Sequence, residues 1–174
     1  LWNSLRPQHR GYGHRSHDDE AVVRAASLLP LVLFAACLSG TEPGAPSNPA
    51  TETYAASLGV NIAQMTKISD ALYFQDLVTG TGATAASGHT IGVTYTGWLV
   101  DGAQFDSNVG KAPLSFVLGA GLVIQGWDLG LLGMKVGGKR RLVIGSDLAY
   151  GSGGYLDIRP NSTLVFDVQL VSVQ

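Results

Sequence analysis

The chain has 174 residues, a length that accommodates one ordinary domain and a tail. Its formal net charge of -2 gives no reason to expect nucleic acid as a partner, because proteins that bind nucleic acid usually present a clearly basic face. Only 14% of the residues are charged, 23 are glycine and 1 is cysteine, which favours a turn-rich β protein and excludes an intrachain disulfide and a cysteine-based zinc site.

The first 40 residues are expected to form a leader that lies outside the folded domain. Residues 1–20 are polar and show neither helical nor strand periodicity, whereas residues 25–36 form a short apolar run after Arg24. About a dozen apolar residues are too few for a membrane-spanning helix, which needs roughly 20. A positive residue, a short apolar run and small residues before a break are the parts of a secretory signal.

The end of this leader, Phe34-Ala-Ala-Cys37, resembles a bacterial lipobox, whose cysteine becomes the lipid-modified first residue of the mature protein. The resemblance implies that the chain meets a membrane only through a lipid anchor at Cys37. It predicts an extracytoplasmic location, periplasmic or anchored to the membrane of a bacterial envelope. Phe34 differs from the leucine that is usual at its position, and Cys37 could also be an ordinary small apolar residue of the signal.

The start of the leader raises a separate hypothesis. The chain lacks an initial Met, and signal peptides rarely carry twenty polar residues before the charged region. Val22 or Val23 would make an ordinary start if its codon were GTG. We therefore hypothesise that residues 1–21 are upstream sequence that the native host does not translate, which any native peptide from this range would contradict.

Residues 41–70 are expected to form a linker. The stretch from Pro43 to Pro49 is rich in proline, glycine and small polar residues, which cannot bury enough apolar surface to offset the entropy of ordering the chain. Leu58, Ile62 and Met65 lie at helical spacing and predict a short, loose helix before the domain.

Residues 71–174 show the pattern of a folded domain. In residues 90–96 and 164–170, large apolar side chains alternate with polar or small ones, which is typical of strands with one buried face. Residues 114–118 and 140–144 are two further predicted strands. Only residues 124–132 have helical character, and that stretch is short. The sequence thus predicts an α+β domain, an antiparallel sheet of about five strands wrapped on one short helix.

Glycine-bearing turns separate these strands. Asp101-Gly102 lies between apolar runs and predicts a hairpin, and a second turn is expected at residues 136–138. Asp167, Gln169 and Ser172 are expected to point outward from the last strand.

Conventional catalytic patterns are poorly represented. No serine lies in a Gly-x-Ser-x-Gly turn, and His89 is the only histidine outside the leader. Gly151-Ser-Gly-Gly154 lacks the Gly-Lys-Ser/Thr that a phosphate-binding loop requires, and residues 139–141 form a basic cluster too small to indicate nucleic acid. The sequence therefore favours neither a hydrolase, nor a metalloenzyme, nor a nucleotide-dependent enzyme, and no cofactor is expected.

Five segments of the domain occur in the order seen in FKBP-type peptidyl-prolyl cis-trans isomerases, and residues 71–174 as a whole resemble that family. The resemblance implies the FKBP fold and a non-covalent, cofactor-independent acceleration of rotation about X–Pro bonds. The segments are Val93-Thr-Tyr-Thr-Gly97, Gly102-Ala-Gln-Phe-Asp-Ser107, Val123-Ile-Gln-Gly-Trp127, Ala149-Tyr-Gly151 and Leu164-Val-Phe-Asp167.

The resemblance also implies a proline-binding pocket. Trp127 would be its floor, Phe105 and Phe166 would form its walls, and further side chains would complete it. These are Tyr95 beside the walls, Val123 and Ile158 at the rim, and Leu114 where the family commonly has an aromatic wall.

Three groups would act on the bound peptide by the same resemblance. The backbone N–H of Ile124 and the hydroxyl of Tyr150 would each hold a substrate carbonyl. Asp106 would lie beside the reacting amide and accept a hydrogen bond from a neighbouring hydroxyl, that of Tyr95. Taken singly, the aromatic residues of the pocket could all be core residues, and Asp106 and Tyr150 could be turn residues.

The chain departs from the family pattern near the predicted site. Tyr155 stands where a histidine is common, no arginine occupies the position that often pairs with the aspartate, and Lys111 is a possible substitute. The loops 107–112 and 152–161 each look about one residue short. These changes leave the predicted floor intact. The properties that they are expected to affect are substrate preference, affinity for macrolide inhibitors and the role of Asp106.

The expected partners are unfolded or exported proteins that contain proline, and macrolide ligands of the immunophilin class. An alternative is a non-catalytic module or chaperone that uses the same pocket to hold proline-containing segments, because a fold does not by itself determine function. A structural role in a larger envelope assembly is a third possibility.

Overall fold

The computed structural model describes residues 44–174. The predicted leader, including the lipobox and Cys37, lies outside the described residues. Within the described part of the chain, no helix has the length and apolar character needed to cross a membrane.

The domain consists of seven strands and one short α-helix, so the predicted class is confirmed and the predicted number of strands is too low. Two of the missed strands have only four residues each, too few to show a clear period. In chain order the elements are β1 (Thr66–Ser69), β2 (Leu72–Val78), β3 (Thr90–Leu99), β4 (Gln104–Ser107), β5 (Leu114–Val117), α1 (Gln125–Gly130), β6 (Lys139–Ile144) and β7 (Leu164–Val173).

All seven strands belong to one antiparallel sheet with the order β1-β2-β6-β7-β3-β4. The long strand β3 has two partners along the same edge: β4 pairs with its second half, and β5 pairs with its first half. Residues 108–113 therefore leave the sheet between the two pairings. The predicted hairpin turn is confirmed, because Gly102 lies between β3 and β4 with a φ of 90° and donates its N–H to Leu99.

Helix α1 packs on one face of the sheet, hereafter the helix face. Its two glycines, four residues apart, make this close packing possible. A Cβ atom on Gly126 would lie 2.4 Å from Ile144, and one on Gly130 would lie 2.8 Å from Leu142. Around this contact the inward-facing side chains of the strands form the main core, including fully buried Leu72 and Val93.

The opposite face of the sheet, hereafter the back face, is also buried. Leu58 and Met65 pack on Tyr73, Val143 and Val165 of the strands. Most of the segment expected to be a linker is thus folded, because its few apolar side chains find a sheet face to cover. The single loose helix expected there is wrong: short 3₁₀ turns occupy Ala56–Leu58 and Ile62–Gln64, and strand β1 follows.

Asp167 was expected to point outward into solvent, and this expectation is wrong. Its side chain lies on the covered back face, and the residue is 8% exposed. Its carboxylate accepts two hydrogen bonds from Arg141, at 2.7 and 3.0 Å, and lies 3.3 Å from the ammonium of Lys139. Arg141 also donates to the carbonyl of Leu58, so the ion pair ties the covering segment to the sheet. A buried carboxylate is tolerated here because it is paired and hydrogen-bonded.

Arg140 lies next to Arg141 in β6, but its side chain points to the helix face. It is 6% exposed. It donates to both carboxylate oxygens of Asp76, at 2.7 and 3.0 Å. Its remaining nitrogen donates to the carbonyls of Gly130 and Leu132, at 2.9 and 3.1 Å, at the end of α1. The basic cluster of residues 139–141 is therefore divided between the two faces of the sheet and engaged in ion pairs on both.

Candidate functional site

An aromatic cup lies on the helix face, at the N-terminal end of α1. Trp127, in the first turn of the helix, forms its floor. The ring of Trp127 meets Tyr95 edge to face at a centroid distance of 4.9 Å and Phe166 at 5.3 Å. Phe105 in turn contacts Phe166 at 5.5 Å with an interplanar angle of 89°. Such perpendicular contacts are favourable arrangements of aromatic quadrupoles and hold the rings in fixed positions.

A glycine of β3 allows the two phenylalanine rings to meet. A Cβ atom on Gly97 would lie 2.7 Å from the ring of Phe105 and 2.8 Å from that of Phe166. Any larger residue would displace both walls, which explains why the segment Tyr95-Thr-Gly97 ends on glycine.

The cup encloses a cavity of about 190 Å³. Nine of the ten residues predicted for the site line it, although they come from six separate stretches of the chain. The lining comprises Tyr95, Phe105, Asp106, Leu114, Val123, Ile124, Trp127, Tyr150 and Phe166, together with Leu122, which the sequence reasoning missed.

Ile158 is the exception among the predicted residues. It is buried and lines a second cavity of about 300 Å³, next to the cup. The two cavities share Phe105, Asp106 and Tyr150, so Ile158 lines a space that adjoins the cup. Its N–H donates to the carbonyl of Tyr155, and its carbonyl accepts the N–H of Tyr155, in a tight turn.

The apolar rim of the cup faces solvent. Leu114 is 39% exposed and Leu122 is 67% exposed. Leu114 lies at the start of β5, and Leu122 lies in the loop before α1. No periodic pattern marks Leu122, because it follows Gly119-Ala-Gly121 in a loop without regular structure.

Asp106 and Tyr95 form the polar wall. The hydroxyl of Tyr95 donates to the carboxylate of Asp106 at 2.5 Å, as the sequence predicted. Lys111 does not take the place of the missing arginine: within residues 44–174, no basic side chain forms a salt bridge with Asp106.

Asn108 holds this wall and was missed by the sequence reasoning. Its amide oxygen accepts the backbone N–H of Tyr95 at 2.7 Å, and its amide nitrogen donates to the carbonyl of Val93 at 3.0 Å. The side chain thus bonds to β3 in the gap between the pairings of β4 and β5. An asparagine is suited to that gap because its amide offers both a donor and an acceptor.

Tyr150 closes the cup from the segment after β6. Its ring stacks on that of Tyr155 at 5.0 Å, with an interplanar angle of 12°. Burial, followed by repulsion from Tyr155 and Asp106, raises the pKa of Tyr150 above its ordinary value. Burial and then the hydrogen bond to Asp106 raise the pKa of Tyr95 further. Both phenols therefore remain protonated donors at neutral and mildly alkaline pH.

Two N–H groups at the floor have no protein acceptor among the described residues. One is the buried indole Nε1 of Trp127, which is surrounded by aromatic rings. The other is the backbone N–H of Ile124, the residue that precedes α1 and lines the cavity. The N–H of Ile124 is thus free to donate to a ligand carbonyl.

The chemistry of this site is that of an aromatic pocket with a few polar groups. Among residues 44–174, no group of three or more His, Cys, Asp or Glu side chains could hold a metal ion. The groups that can act on a ligand are the aromatic walls, the N–H of Ile124, the hydroxyl of Tyr150 and the carboxylate of Asp106.

Comparisons with known proteins agree with this geometry. Residues 82–171 match the family model described as FKBP-type peptidyl-prolyl cis-trans isomerase. The chain is 48% identical over 104 residues to an FK506-binding protein of Neisseria meningitidis, a match that covers 59% of this chain and 95% of that protein.

Two further relatives are longer than the matched region. The chain is 48% identical over 112 residues to FK506-binding protein 4 of Rhizopus delemar, a match that covers 64% of this chain but spans only 29% of that protein. The crystal structure of FkpA from Escherichia coli superposes with a TM-score of 0.58 at 45% identity, covering 63% of this chain and 51% of that chain.

Proposed function

The chain belongs to the FKBP-type peptidyl-prolyl cis-trans isomerase family, and from this premise we propose that its domain of residues 71–174 accelerates rotation about X–Pro bonds in protein clients. The observation that carries the proposal is the aromatic cup itself, with Trp127 as its floor and an unpaired N–H at its edge.

The uncatalysed reaction defines what the cup has to do. Rotation about an X–Pro bond breaks no covalent bond, needs about 20 kcal/mol of activation and takes roughly 10–100 s. The barrier arises because amide resonance keeps the C–N unit planar and polar, and the rotated state loses that polarity. Water stabilises the planar form more than the rotated one.

The aromatic walls remove that water. Burying an amide without full compensation costs on the order of 1–3 kcal/mol. If only the planar ground state bears this cost, the barrier falls by the same amount, and each 1.4 kcal/mol is about a factor of ten in rate. Burial of the proline ring against Trp127 supplies binding free energy, at about 0.8 kcal/mol per methylene.

The two donors then select the rotated geometry. The N–H of Ile124 and the hydroxyl of Tyr150 lie on different elements that line the same cavity. Each can hold a carbonyl that flanks the proline, so that the two carbonyls are fixed in a relative orientation that suits the twisted amide. Asp106, held by Tyr95, places a negative charge beside the reacting unit and orients the polar wall.

A coupled isomerisation assay on short X–Pro peptides tests this function. We expect the wild-type domain to accelerate the cis-to-trans step and Asp106→Ala to lower kcat/KM by about tenfold, because a hydrogen bond to a charged group contributes about 1.5–3 kcal/mol. Asp70→Ala is the matched control, since Asp70 is exposed and pairs only with Lys67. Peptide binding without acceleration would instead support the non-catalytic binding module.

The proposed clients are unfolded or exported proteins that contain proline, and the proposed small ligands are macrolides of the immunophilin class. The location follows only from the sequence of the leader, which supports an extracytoplasmic protein anchored by lipid at Cys37.

Metabolic labelling of the full chain in a bacterial host tests the proposed anchor. We expect radioactive palmitate to be incorporated into the wild-type protein and not into Cys37→Ser, because the thiol is the site at which the diacylglyceryl group is attached. Equal labelling of both proteins, or labelling of neither, would refute the anchor and leave the isomerase proposal unaffected.

A further inference from the structure

Residues 47–55, hereafter the N-terminal strap, lie against the segment that brings Tyr150 to the cup. The strap precedes the region matched by the family model, which begins at residue 82. Its contacts with the domain are specific hydrogen bonds, and they fall at both ends of residues 145–163.

The first contact is a reciprocal pair of serines. The backbone N–H of Ser47 donates to the hydroxyl of Ser146 at 2.9 Å, and the backbone N–H of Ser146 donates to the hydroxyl of Ser47 at 2.8 Å. Ser47 is 9% exposed and Ser146 is 1% exposed. Buried hydrogen bonds of this kind are costly to break, because each unpaired partner loses its solvation.

This pair holds the turn that precedes Tyr150. Ser146–Leu148 form a single 3₁₀ turn, in which Leu148 and Ala149 donate their N–H groups to Gly145 and Ser146 at 3.1 and 3.0 Å. Tyr150 follows directly. A Cβ atom on Gly145 would lie 2.7 Å from the carbonyl oxygen of Ser47, so the strap and the turn are in direct backbone contact.

The second contact holds the other end of the same segment. The hydroxyl of Thr163, which is 2% exposed, donates to the carboxylate of Glu52 at 3.3 Å. The strap then continues to the β3–β4 hairpin, where the N–H of Ala55 donates to the carbonyl of Val100 at 2.8 Å. Both ends of residues 145–163, which carry Tyr150 and Tyr155, are thus fastened to one short stretch of chain.

We propose that Ser47 is a positioning residue for the isomerase reaction: through Ser146 it fixes the turn at residues 146–149 and thereby sets the place of the Tyr150 hydroxyl. The proposal rests on the proposed function, since it assigns to Tyr150 the role of holding a substrate carbonyl. Ser47 itself does not line the cup. The proposal therefore predicts that its effect on catalysis depends on the hydroxyl of Tyr150.

A double-mutant cycle separates this role from a general effect on folding. Ser47→Ala is expected to lower kcat about fivefold with little change in KM, because a displaced hydroxyl loses contact with the rotated amide. In the Tyr150→Phe background the same substitution is expected to change kcat less than twofold, since the hydroxyl that it positions is gone. An equal loss in both backgrounds, or no loss in either, would overturn the proposal.

Two further variants serve as a control and as a second test of the strap. Thr51→Ala is the matched control, because its hydroxyl bonds only to Asn48 within the exposed part of the strap, and no change in kcat is expected. Glu52→Ala loosens the other end of the segment without removing the buried serine pair. We expect a loss of about twofold that also disappears in the Tyr150→Phe background, and this variant tests the strap if Ser47→Ala does not fold.

Hydrogen exchange distinguishes failure of this proposal from failure of the proposed function. The amides of Leu148 and Ala149 are expected to exchange about tenfold faster in Ser47→Ala than in the wild-type protein, while the amides in the middle of β7 are unchanged. Unchanged exchange at Leu148 and Ala149 would overturn the positioning role whether or not the domain catalyses isomerisation.

Discussion

Trp127→Ala is expected to remove most of the isomerase activity and to lower the free energy of unfolding by about 3–5 kcal/mol. The indole is 4% exposed and contacts Tyr95 and Phe166, and it also lies 6.0 Å from Phe116 beneath the cup. Its loss therefore opens a cavity in the core and takes away the surface on which the proline ring rests. Urea unfolding and the coupled isomerisation assay measure the two effects.

The matched pair Trp127→Phe and Trp98→Phe separates the loss of the floor from the loss of a large side chain. Trp98 packs in the cluster on the back face of the sheet, away from the cup. We expect Trp127→Phe to fold and to lower kcat/KM by at least tenfold, because the smaller ring leaves part of the floor empty. Trp98→Phe should keep its activity. Full activity in Trp127→Phe, or an equal loss in Trp98→Phe, would show that the floor is assigned wrongly.

Arg140→Ala is expected to lower the free energy of unfolding by about 3 kcal/mol, the low end of the range for breaking a buried pair, because Asp76 is partly exposed. Removing the guanidinium leaves the carboxylate of Asp76 without its partner. It also leaves the carbonyls of Gly130 and Leu132 without a donor at the end of α1. The lost packing against the ring of Phe74, whose centroid lies 4.2 Å from the guanidinium carbon, adds to the effect.

Two other variants test this assignment by urea unfolding. Arg140→Lys should recover little stability, because an ammonium cannot bond both carboxylate oxygens and two carbonyls in the same plane. Arg159→Ala is the control, since Arg159 is exposed. If Arg140→Ala were no more destabilised than Arg159→Ala, the ion pair would have no role in holding the helix that carries Trp127.

The ion pairs of Arg140 and Arg141 stabilise the elements that surround the cup. Arg140 holds the end of α1, and α1 carries Trp127 into the floor. Arg141, on the other face, ties Leu58 of the covering segment to β7 through Asp167. The aromatic residues of the site are therefore placed by polar groups that lie outside it, which is common where a binding pocket needs a rigid frame.

Much of the site could be predicted because its residues lie in short local segments. Val123-Ile-Gln-Gly-Trp127 and Gly102-Ala-Gln-Phe-Asp-Ser107 each place a wall, a donor or a carboxylate next to a turn. The hydrogen bond between Tyr95 and Asp106, which joins two of these segments, was implied by the resemblance to the family and is present. Residues without a local signal were missed: Leu122 lies in a glycine-rich loop, and Asn108 acts through its side chain across the gap between two strands.

The sequence by itself determined the α+β class, the main strands and the helix, because alternation along a strand states which side chains share a face. Its resemblance to the FKBP family supplied the nine predicted residues that line the cup. The alternation does not state what covers that face. Only the tertiary structure decided that residues 54–65 bury the back face, that Asp167 is paired there, and that Ile158 turns toward a neighbouring cavity. The same holds for the bond between Ser47 and Ser146, because a pairing across 99 positions leaves no trace in a local pattern.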